Sequence, residues 1–363
     1  MSDATLSASP DHPRHTSGLR GHAAAERAFL DAWTADRLHH AWLIEGPRGI
    51  GKATLAYRIA RFVLLGRKAA EGGLFGDALP PASLDVDPDS GVFHRVAAAA
   101  HADLLTVERS LTDRGRMRRE IVVADARALP GFFAMTAAEG GYRVAIVDSL
   151  DEANRESVNS LLKIVEEPPA HALILLLAHR PGAVLPTIRS RCRRLQLRPL
   201  ADEDALTVLR AHRPQLAEEE AAVLVRLAEG APGRALRLAD LGGAELHQQI
   251  GTLLGRLPVL DLPGVHALGD KLGRGADGDG LSVLGELLDW WLTRVIRRAG
   301  GGQSGPAGAE EGVVSRLAGR GSLDRWIDLW EKTGRLVERA EALNLERKQV
   351  VLTLFGAMAR AAG

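Results

Sequence analysis

This sequence has almost no cysteine and no formal net charge. Its 363 residues include one cysteine, Cys192, which excludes an internal disulfide and a zinc site built from several cysteines. Lysine and arginine number 46, as do aspartate and glutamate, so the formal net charge is zero. Proteins that wrap polyanions carry a basic excess, and we therefore expect any contact with DNA to be local or shared with partners.

Long hydrophobic runs are missing as well. The longest apolar stretch lies near Ala172–Ala178 and falls well short of the roughly 18 residues that cross a membrane. Residues 1–18 are polar and lack the hydrophobic centre of a signal peptide, so we expect a disordered N-terminus there. These absences predict a cytoplasmic protein that makes no contact with a membrane.

Residues 46–54 match most of a phosphate-binding loop, G-x-x-x-x-G-K-[ST]. In that pattern the backbone N–H groups cradle phosphates, the lysine adds a positive charge, and the next hydroxyl holds Mg²⁺. Lys52 is present, but Ala53 occupies the hydroxyl position and Thr54 follows it. The expected nucleotide-binding residues of the loop are Gly46, Pro47, Gly49, Gly51, Lys52, Ala53 and Thr54.

The loop lies between a strand signal and a helix signal. Ala41–Glu45 is a short apolar run typical of a buried parallel strand. After the loop, Leu55, Ile59 and Phe62 recur at helical spacing. A strand, a glycine loop and a helix N-terminus together form an anion site through their geometry and dipole. A glycine turn that binds no ligand is the alternative interpretation.

Strand and helix signals alternate through the first half of the chain. Arg143–Asp148 indicates a buried strand ending in a carboxylate, and a helix from Asn154 to Glu166 follows it. The alternation predicts an α/β core with a parallel sheet between helices. Asp148 then meets the glycine loop at the carboxyl edge of the sheet, unless it only caps its strand. Further segments expected are strands at Asp103–Val107, Glu120–Val123, Ala172–Ala178 and Arg194–Leu200, and a helical stretch within Val122–Leu129.

Only helix signals remain beyond Pro199. Trp290, Trp291, Trp326 and Trp330 lie at helical spacings among Leu and Ile, which favours a bundle core or a subunit interface over a ligand site. We therefore divide the chain into a disordered N-terminus (1–18), a nucleotide-binding core (19–199) with an inserted loop at about 66–100, a helical lid (200–243) and a helical oligomerisation domain (244–363).

Several further segments form recognisable motifs. SVNSLLKIVEEPP occupies residues 157–169, LLLA occupies 175–178 and LPTIRSRC occupies 185–192. HHAWL at 39–43 precedes the loop, and GAPGRA lies at 230–235. These segments resemble the NALLKTLEEPP, LLAT, LP-x-TI-x-SRC, HAYLF and GSPGRAL motifs of bacterial clamp-loader subunits, a family of AAA+ ring ATPases. The resemblance is dense over residues 21–240 and thins to Leu345–Val351 in the tail.

The resemblance implies an AAA+ core followed by a helical lid and an all-α collar. In such rings the arginine of Ser-Arg-Cys reaches the γ-phosphate on a neighbouring subunit as an arginine finger. That residue is Arg191 here, unless it belongs to a basic edge that is solvated or faces DNA. The resemblance also implies that Arg234 of the lid motif contacts bound nucleotide, with a surface arginine at a helix start as the alternative.

Three positions depart from the pattern of the hydrolysing members. Ala53 lacks the hydroxyl for Mg²⁺, Ser149 stands where the motor type has the glutamate that orients water, and His179 replaces the usual threonine sensor. The metal ligand and the base each support a separate contact in the transition state. Their joint loss favours the stationary type of subunit, delta-prime, over the motor type, gamma/tau.

The resemblance also implies partners and cofactors. The partners are gamma/tau motor subunits and a delta subunit in a five-membered ring, together with the sliding clamp and primed DNA. The helical tail would form the chain's share of the collar. ATP, ADP or no nucleotide remain open as occupants of the loop. Mg²⁺ is poorly supported and no zinc is expected.

A competent ATPase motor is the main alternative. In that interpretation Lys52 and Thr54 bind nucleotide, Asp148 holds Mg²⁺, and Asp151 or Glu152 acts as the base. A P-loop kinase of small metabolites is a further alternative. It leaves the Ser-Arg-Cys and lid motifs without a role.

Overall fold

The computed structural model describes residues 11–66, 81–112, 118, 120–139, 141–274, 279–302 and 310–363. The chain divides into two units, Met1–Pro214 with Glu229–Arg234 and Gln215–Ala228 with Ala235–Gly363. This division falls inside the segment 200–243 that was expected to form a lid, so the separate lid and collar domains stay a prediction. No described helix is long and apolar enough to cross a membrane.

A parallel sheet forms the centre of the first unit. Its strands are β1 (Ala41–Glu45), β2 (Leu104–Glu108), β3 (Arg143–Asp148), β4 (Ala172–Ala178) and β5 (Arg193–Gln196). They lie in the order β2-β3-β4-β1-β5, and every neighbouring pair is parallel. Strands β1 and β4 are buried along their whole length, which explains their continuous apolar sequence. This sheet confirms the predicted α/β fold class.

Helices cover both faces of this sheet. They are α1 (Ala23–Thr34), α2 (Lys52–Leu65), α3 (Gly91–Ala97), α4 (Val123–Ala126), α5 (Ala128–Ala134), α6 (Arg155–Glu166), α7 (Pro186–Arg189) and α8 (Asp202–His212). On one face, Phe29 of α1 packs on Trp42 of β1 with 5.0 Å between ring centroids. On the other face, Leu129 of α5 and Val165 of α6 join Leu43 in one core cluster. Adjacent residues of β1 thus point to opposite layers, as the pleat of a strand requires.

Two expectations about local structure were wrong. Glu120–Val123 is not a strand, because Ile121 forms only an isolated bridge and Val123 begins α4. The loop expected at about 66–100 contains α3, whose first turn is capped by the Ser90 side chain. Burial of the apolar face of α3 stabilises this helix within a segment rich in Gly, Ala and Pro. Residues 67–80 lie outside the described part of the chain.

The expectation of a disordered N-terminus over residues 1–18 was wrong for residues 11–18. Arg61 of α2 donates to the carbonyls of Arg14 and Thr16 at 2.9 and 2.6 Å. Arg14 is itself buried. A buried guanidinium needs several acceptors, and backbone carbonyls of this segment supply them. Residues 1–10 lie outside the described part of the chain.

Helices form the second unit. They are α9 (Glu218–Ala228), α10 (Pro232–Asp240, from Ala235 onward), α11 (Gly243–Arg256), α12 (Leu262–Arg274), α13 (Gly280–Ala299), α14 (Glu311–Ala318), α15 (Leu323–Leu343) and α16 (Arg347–Ala362). Trp290, Trp291 and Trp326 are buried, which confirms that these rings belong to the helical core. Trp330 is half-exposed and donates to Asp289 at 2.6 Å.

The N-cap of α6 gives a stability prediction. The Asn154 side chain accepts a hydrogen bond from the Ser157 N–H at 2.9 Å. We expect Asn154→Ala to lower the free energy of unfolding by about 1 kcal/mol, because this N–H loses its acceptor. Asn159→Ala, at an exposed position of the same helix, is the matched control and should change stability by less than about 0.5 kcal/mol. Urea unfolding measures both, and equal midpoints would contradict the role of the cap.

Candidate functional site

The glycine loop leaves β1 and enters α2, as the sequence predicts. Gly46, Gly49 and Gly51 have φ angles of 153°, 79° and 108°, a range that residues with a Cβ rarely adopt. A Cβ on Gly49 would also lie 2.8 Å from the backbone nitrogen of Arg234. Because α2 begins at Lys52, the positive end of its dipole lies at the loop. The loop therefore has the backbone of an anion-binding turn.

The GAPGRA segment lies directly against this loop. The Gly233 N–H donates to the Gly49 carbonyl at 2.8 Å, and a Cβ on Gly233 would be 3.0 Å from the Gly49 Cα. Two glycines thus permit the close backbone contact. The Arg234 guanidinium lies 3.8 Å from Glu229 Oε2 within the same segment. The structure therefore places Arg234 beside the loop, while its contact with nucleotide stays a prediction.

Lys52 is held by the loop itself. The side chain is buried, and Nζ donates to the carbonyls of Gly46 and Pro47, both at 2.7 Å. Burial lowers the pKa of Lys52 to about 8, although the carboxylates of Asp148 and Asp151 act in the opposite direction. A phosphate would have to compete with these two carbonyls for the ammonium. Lys52 fits a phosphate site by position and stabilises the loop by its bonds.

Several polar groups lie at the carboxyl ends of β3 and β4. Asp148 ends β3, and burial raises its pKa to about 6 against the opposing charge of Lys52. The buried Ser149 Oγ and His179 Nδ1 have no hydrogen-bond partner among the described residues. Burial, together with the charge of Lys52, lowers the pKa of His179 to about 4. Buried polar atoms need partners, so these two atoms are suited to bind ordered water or a ligand.

The two candidate bases of a competent ATPase are engaged in other contacts. Asp151 Oδ1 accepts from the His179 N–H at 2.9 Å. Burial, the largest single influence, would raise the pKa of Asp151, but this hydrogen bond, the electrostatic interaction with His179 and the hydrogen bond from Arg180 together lower it. Glu152 pairs with Arg109 at 3.0 Å and with Arg48 of the loop at 3.7 Å. The Asp151 carboxylate, stabilised in this way, accepts a proton poorly.

The side chains of positions 53 and 54 leave the helix in different directions. Ala53 and Thr54 both lie in the first turn of α2. Successive residues of an α-helix are rotated by about 100° around its axis, so the Thr54 hydroxyl points in a different direction from a hydroxyl at position 53. The residues present therefore fit the phosphates of a nucleotide better than they fit Mg²⁺.

Arg191 lies at the opposite edge of the sheet from the loop. It precedes β5, whose first residue, Arg193, pairs with Trp42 near the start of β1. The loop follows Glu45 at the end of β1. The four residues of β5 span about 13 Å, which is longer than an arginine side chain. Arg191 and the glycine loop of one chain are therefore separate functional groups.

The side chain of Arg191 lies on the surface and is 43% exposed. One of its amino groups donates to the Thr187 carbonyl at 3.0 Å, and the other lies 3.2 Å from Glu166 Oε1. Ser190 Oγ donates to the same Thr187 carbonyl at 3.1 Å. Cys192 packs against the core, and burial raises the pKa of its thiol to about 12. Ser190 and Cys192 thus fix the turn that presents Arg191.

Sequence reasoning missed an ion pair next to the loop, in which a buried carboxylate meets an exposed arginine. Glu45 is fully buried, and Arg194 donates to its Oε2 from two nitrogens at 2.8 and 2.6 Å. The pair joins the last residue of β1 to the edge strand β5. A glutamate ending an apolar strand, and a later strand beginning with two arginines, were the available signals. Neither signal identifies the partner, because 149 positions separate the two residues.

Comparisons with known proteins find similarity to subunits of DNA polymerase III. Residues 21–201 match the family model described as DNA polymerase III, delta subunit. The delta' subunit of Pseudomonas aeruginosa DNA polymerase III is 33% identical over 212 residues, which cover 58% of this chain and 59% of that protein. The gamma/tau subunit of Mycobacterium tuberculosis is 29% identical over 332 residues, covering 84% of this chain and 52% of that protein.

The chain spans only about half the length of the curated relatives it matches. Among solved structures, a gamma subunit-related protein of DNA polymerase III from Thermotoga maritima is similar over 92% of this chain and 100% of that chain. Its sequence identity is 13% and its TM-score is 0.42.

The buried carboxyl of Asp148 gives a pH prediction. Its pKa rises from 3.8 in the unfolded chain to about 6 on folding, so the folded protein binds this proton more tightly and loses stability as the pH rises from about 4 to above 6. Asp148→Asn should therefore raise the free energy of unfolding by on the order of 2 kcal/mol at pH 8 and change it little at pH 4.

Asp89→Asn is the matched control, because Asp89 is exposed and its substitution should change stability little at either pH. Urea unfolding at pH 4 and pH 8 measures both variants. An equal gain for Asp148→Asn at the two pH values would contradict the buried-charge explanation.

Proposed function

We propose that the chain is a DNA polymerase III clamp-loader subunit and that it acts there as a non-hydrolysing subunit of the delta-prime type. The observation that carries this proposal is the separation of Arg191 from the glycine loop by the length of β5. An exposed arginine that cannot reach its own loop is suited to a site on a neighbouring chain. There it would stabilise the charge that develops on a transferred phosphoryl group.

The state of the chain's own loop supports the same proposal. Hydrolysis needs a metal ligand after Lys52 and a free carboxylate near the attacking water. Ala53 offers no oxygen, and both Asp151 and Glu152 are engaged by other groups. The loop would bind ATP or ADP through its backbone N–H groups and Lys52. A bound nucleotide would supply its phosphates as ligands for the loop, with Mg²⁺ poorly held.

The proposed partners follow from the same reasoning. We infer that the neighbour whose site receives Arg191 is a gamma/tau motor subunit, in a five-membered ring that also contains delta. The ring would load the sliding clamp onto primed DNA in the cytoplasm. The helices of residues 244–363 would contribute to its collar. The formal net charge of zero is consistent with DNA contacts that are shared across the ring.

A gamma/tau-type motor is the second candidate function. The observation that favours it is the Mycobacterium tuberculosis gamma/tau match, which covers 84% of this chain and so extends beyond the delta' match. In this case Lys52 and Thr54 would bind nucleotide and Asp148 would hold Mg²⁺. Steady ATP hydrolysis by the isolated chain, abolished by Lys52→Ala, would establish the motor function.

The role of Arg191 is testable in an assembled ring of motor subunits, delta and this chain. Arg191→Ala should lower ATP turnover at the motor site that faces it by about 10³-fold or more, because arginine fingers contribute on that order. The total ATP turnover of the ring, stimulated by DNA and clamp, should fall by the fraction that this one motor site contributes. Arg198→Ala, which removes an exposed arginine beyond the other end of β5, should leave turnover unchanged. Unchanged turnover with Arg191→Ala in an intact ring would refute the arginine-finger role.

A further inference from the structure

Glu166, the last residue of α6, is the counter-ion of Arg191. The ion pair joins two separate motifs, since Glu166 belongs to the EEPP run and Arg191 to Ser-Arg-Cys. One guanidinium nitrogen lies 3.2 Å from Glu166 Oε1, and the other donates to the Thr187 carbonyl at 3.0 Å. The side chains of Arg191 and Glu166 are 43% and 45% exposed. The pair is thus open to a group that approaches from outside.

The hydrogen bond of Arg191 to Thr187 and its ion pair with Glu166 place different constraints on the side chain. The bond to Thr187 is made within the turn that carries the arginine, so it does not oppose motion of that turn. The pair with Glu166 is an exposed ion pair, which contributes about 0–1 kcal/mol. A terminal phosphate carries more charge than a carboxylate and accepts two parallel hydrogen bonds from a guanidinium. It can therefore displace Glu166 from Arg191.

We propose that Glu166 is a positioning residue that holds the Arg191 guanidinium within its own subunit until a nucleotide phosphate on the neighbouring subunit replaces it. This inference rests on the proposed function of Arg191. Glu166 orders a long side chain before the neighbour binds nucleotide, and it competes with that nucleotide for the same nitrogen. The strength of the ion pair therefore influences the ATP concentration at which Arg191 binds the nucleotide of the neighbouring site.

The competition has a kinetic consequence. Glu166→Gln removes the competing charge, so Arg191 binds the neighbour's nucleotide more readily in the ground state and in the transition state alike. A uniform gain of this kind lowers KM and leaves kcat unchanged. An exposed pair in the stronger half of this range corresponds to a KM for ATP that is about two- to fivefold lower.

The experiment uses the assembled ring with motor subunits, delta, clamp and primed DNA, and measures ATP turnover against ATP concentration. Glu167→Gln is the matched control, because it removes the same charge one residue later, and it should keep the wild-type KM. Glu166→Asp keeps the charge and should restore a KM close to that of the wild type. Raising the salt concentration should reduce the difference in KM between Glu166→Gln and the wild type, since salt screens exposed ion pairs.

The outcomes separate this inference from the function on which it rests. If Arg191→Ala leaves turnover unchanged, the arginine finger is refuted and the role of Glu166 falls with it. If Arg191→Ala lowers turnover while Glu166→Gln keeps the wild-type KM, only the positioning role is overturned. Equal KM changes in Glu166→Gln and Glu167→Gln would attribute the effect to surface charge and would also overturn it.

Discussion

Parallel pairing of the strands determines which functional groups can meet. The carboxyl ends of parallel strands lie at one edge of the sheet, so the glycine loop after β1, Asp148 after β3 and His179 after β4 lie together. The same pairing puts Arg191, which precedes β5, at the other edge. No rotation of a side chain bridges the length of a strand. The direction of the strands therefore keeps Arg191 away from the glycine loop of its own chain.

The charges at the two edges differ in how firmly they are held. At the carboxyl edge Lys52 bonds two loop carbonyls, and Glu152 pairs with two arginines. In a hydrolysing site, the lysine would contact the bound phosphate and the carboxylate would contact the attacking water. Here both groups bind other parts of the same chain. At the amino edge Arg191 has one weak, exposed ion pair, with Glu166. Of the charged groups at the two edges, the Arg191 guanidinium is the one that can more easily exchange its present ion pair for another.

Sequence patterns predicted the parts of the fold that depend on local periodicity. The strands at Ala41–Glu45, Arg143–Asp148 and Ala172–Ala178 match the predicted bounds, because a buried parallel strand is a continuous apolar run. The ordered segment 11–18 was missed because the acceptors for Arg61 are backbone carbonyls, which composition does not reveal. The hydrogen bond of Asp151 and the ion pairs of Glu152 were missed because their partners are distant in sequence. These contacts bear most directly on whether the chain's own site could hydrolyse ATP.

The central claim is that this chain contributes to ATP hydrolysis at a neighbouring site and not at its own loop. The most direct measurement is the ATP turnover of the assembled ring, stimulated by clamp and primed DNA, in which only this chain carries Lys52→Ala. Removing Lys52 abolishes phosphate binding at a working loop. We expect the ring to keep its full turnover, with Arg191 intact. A large loss of turnover in a ring that still assembles would contradict the claim and identify this chain as a motor.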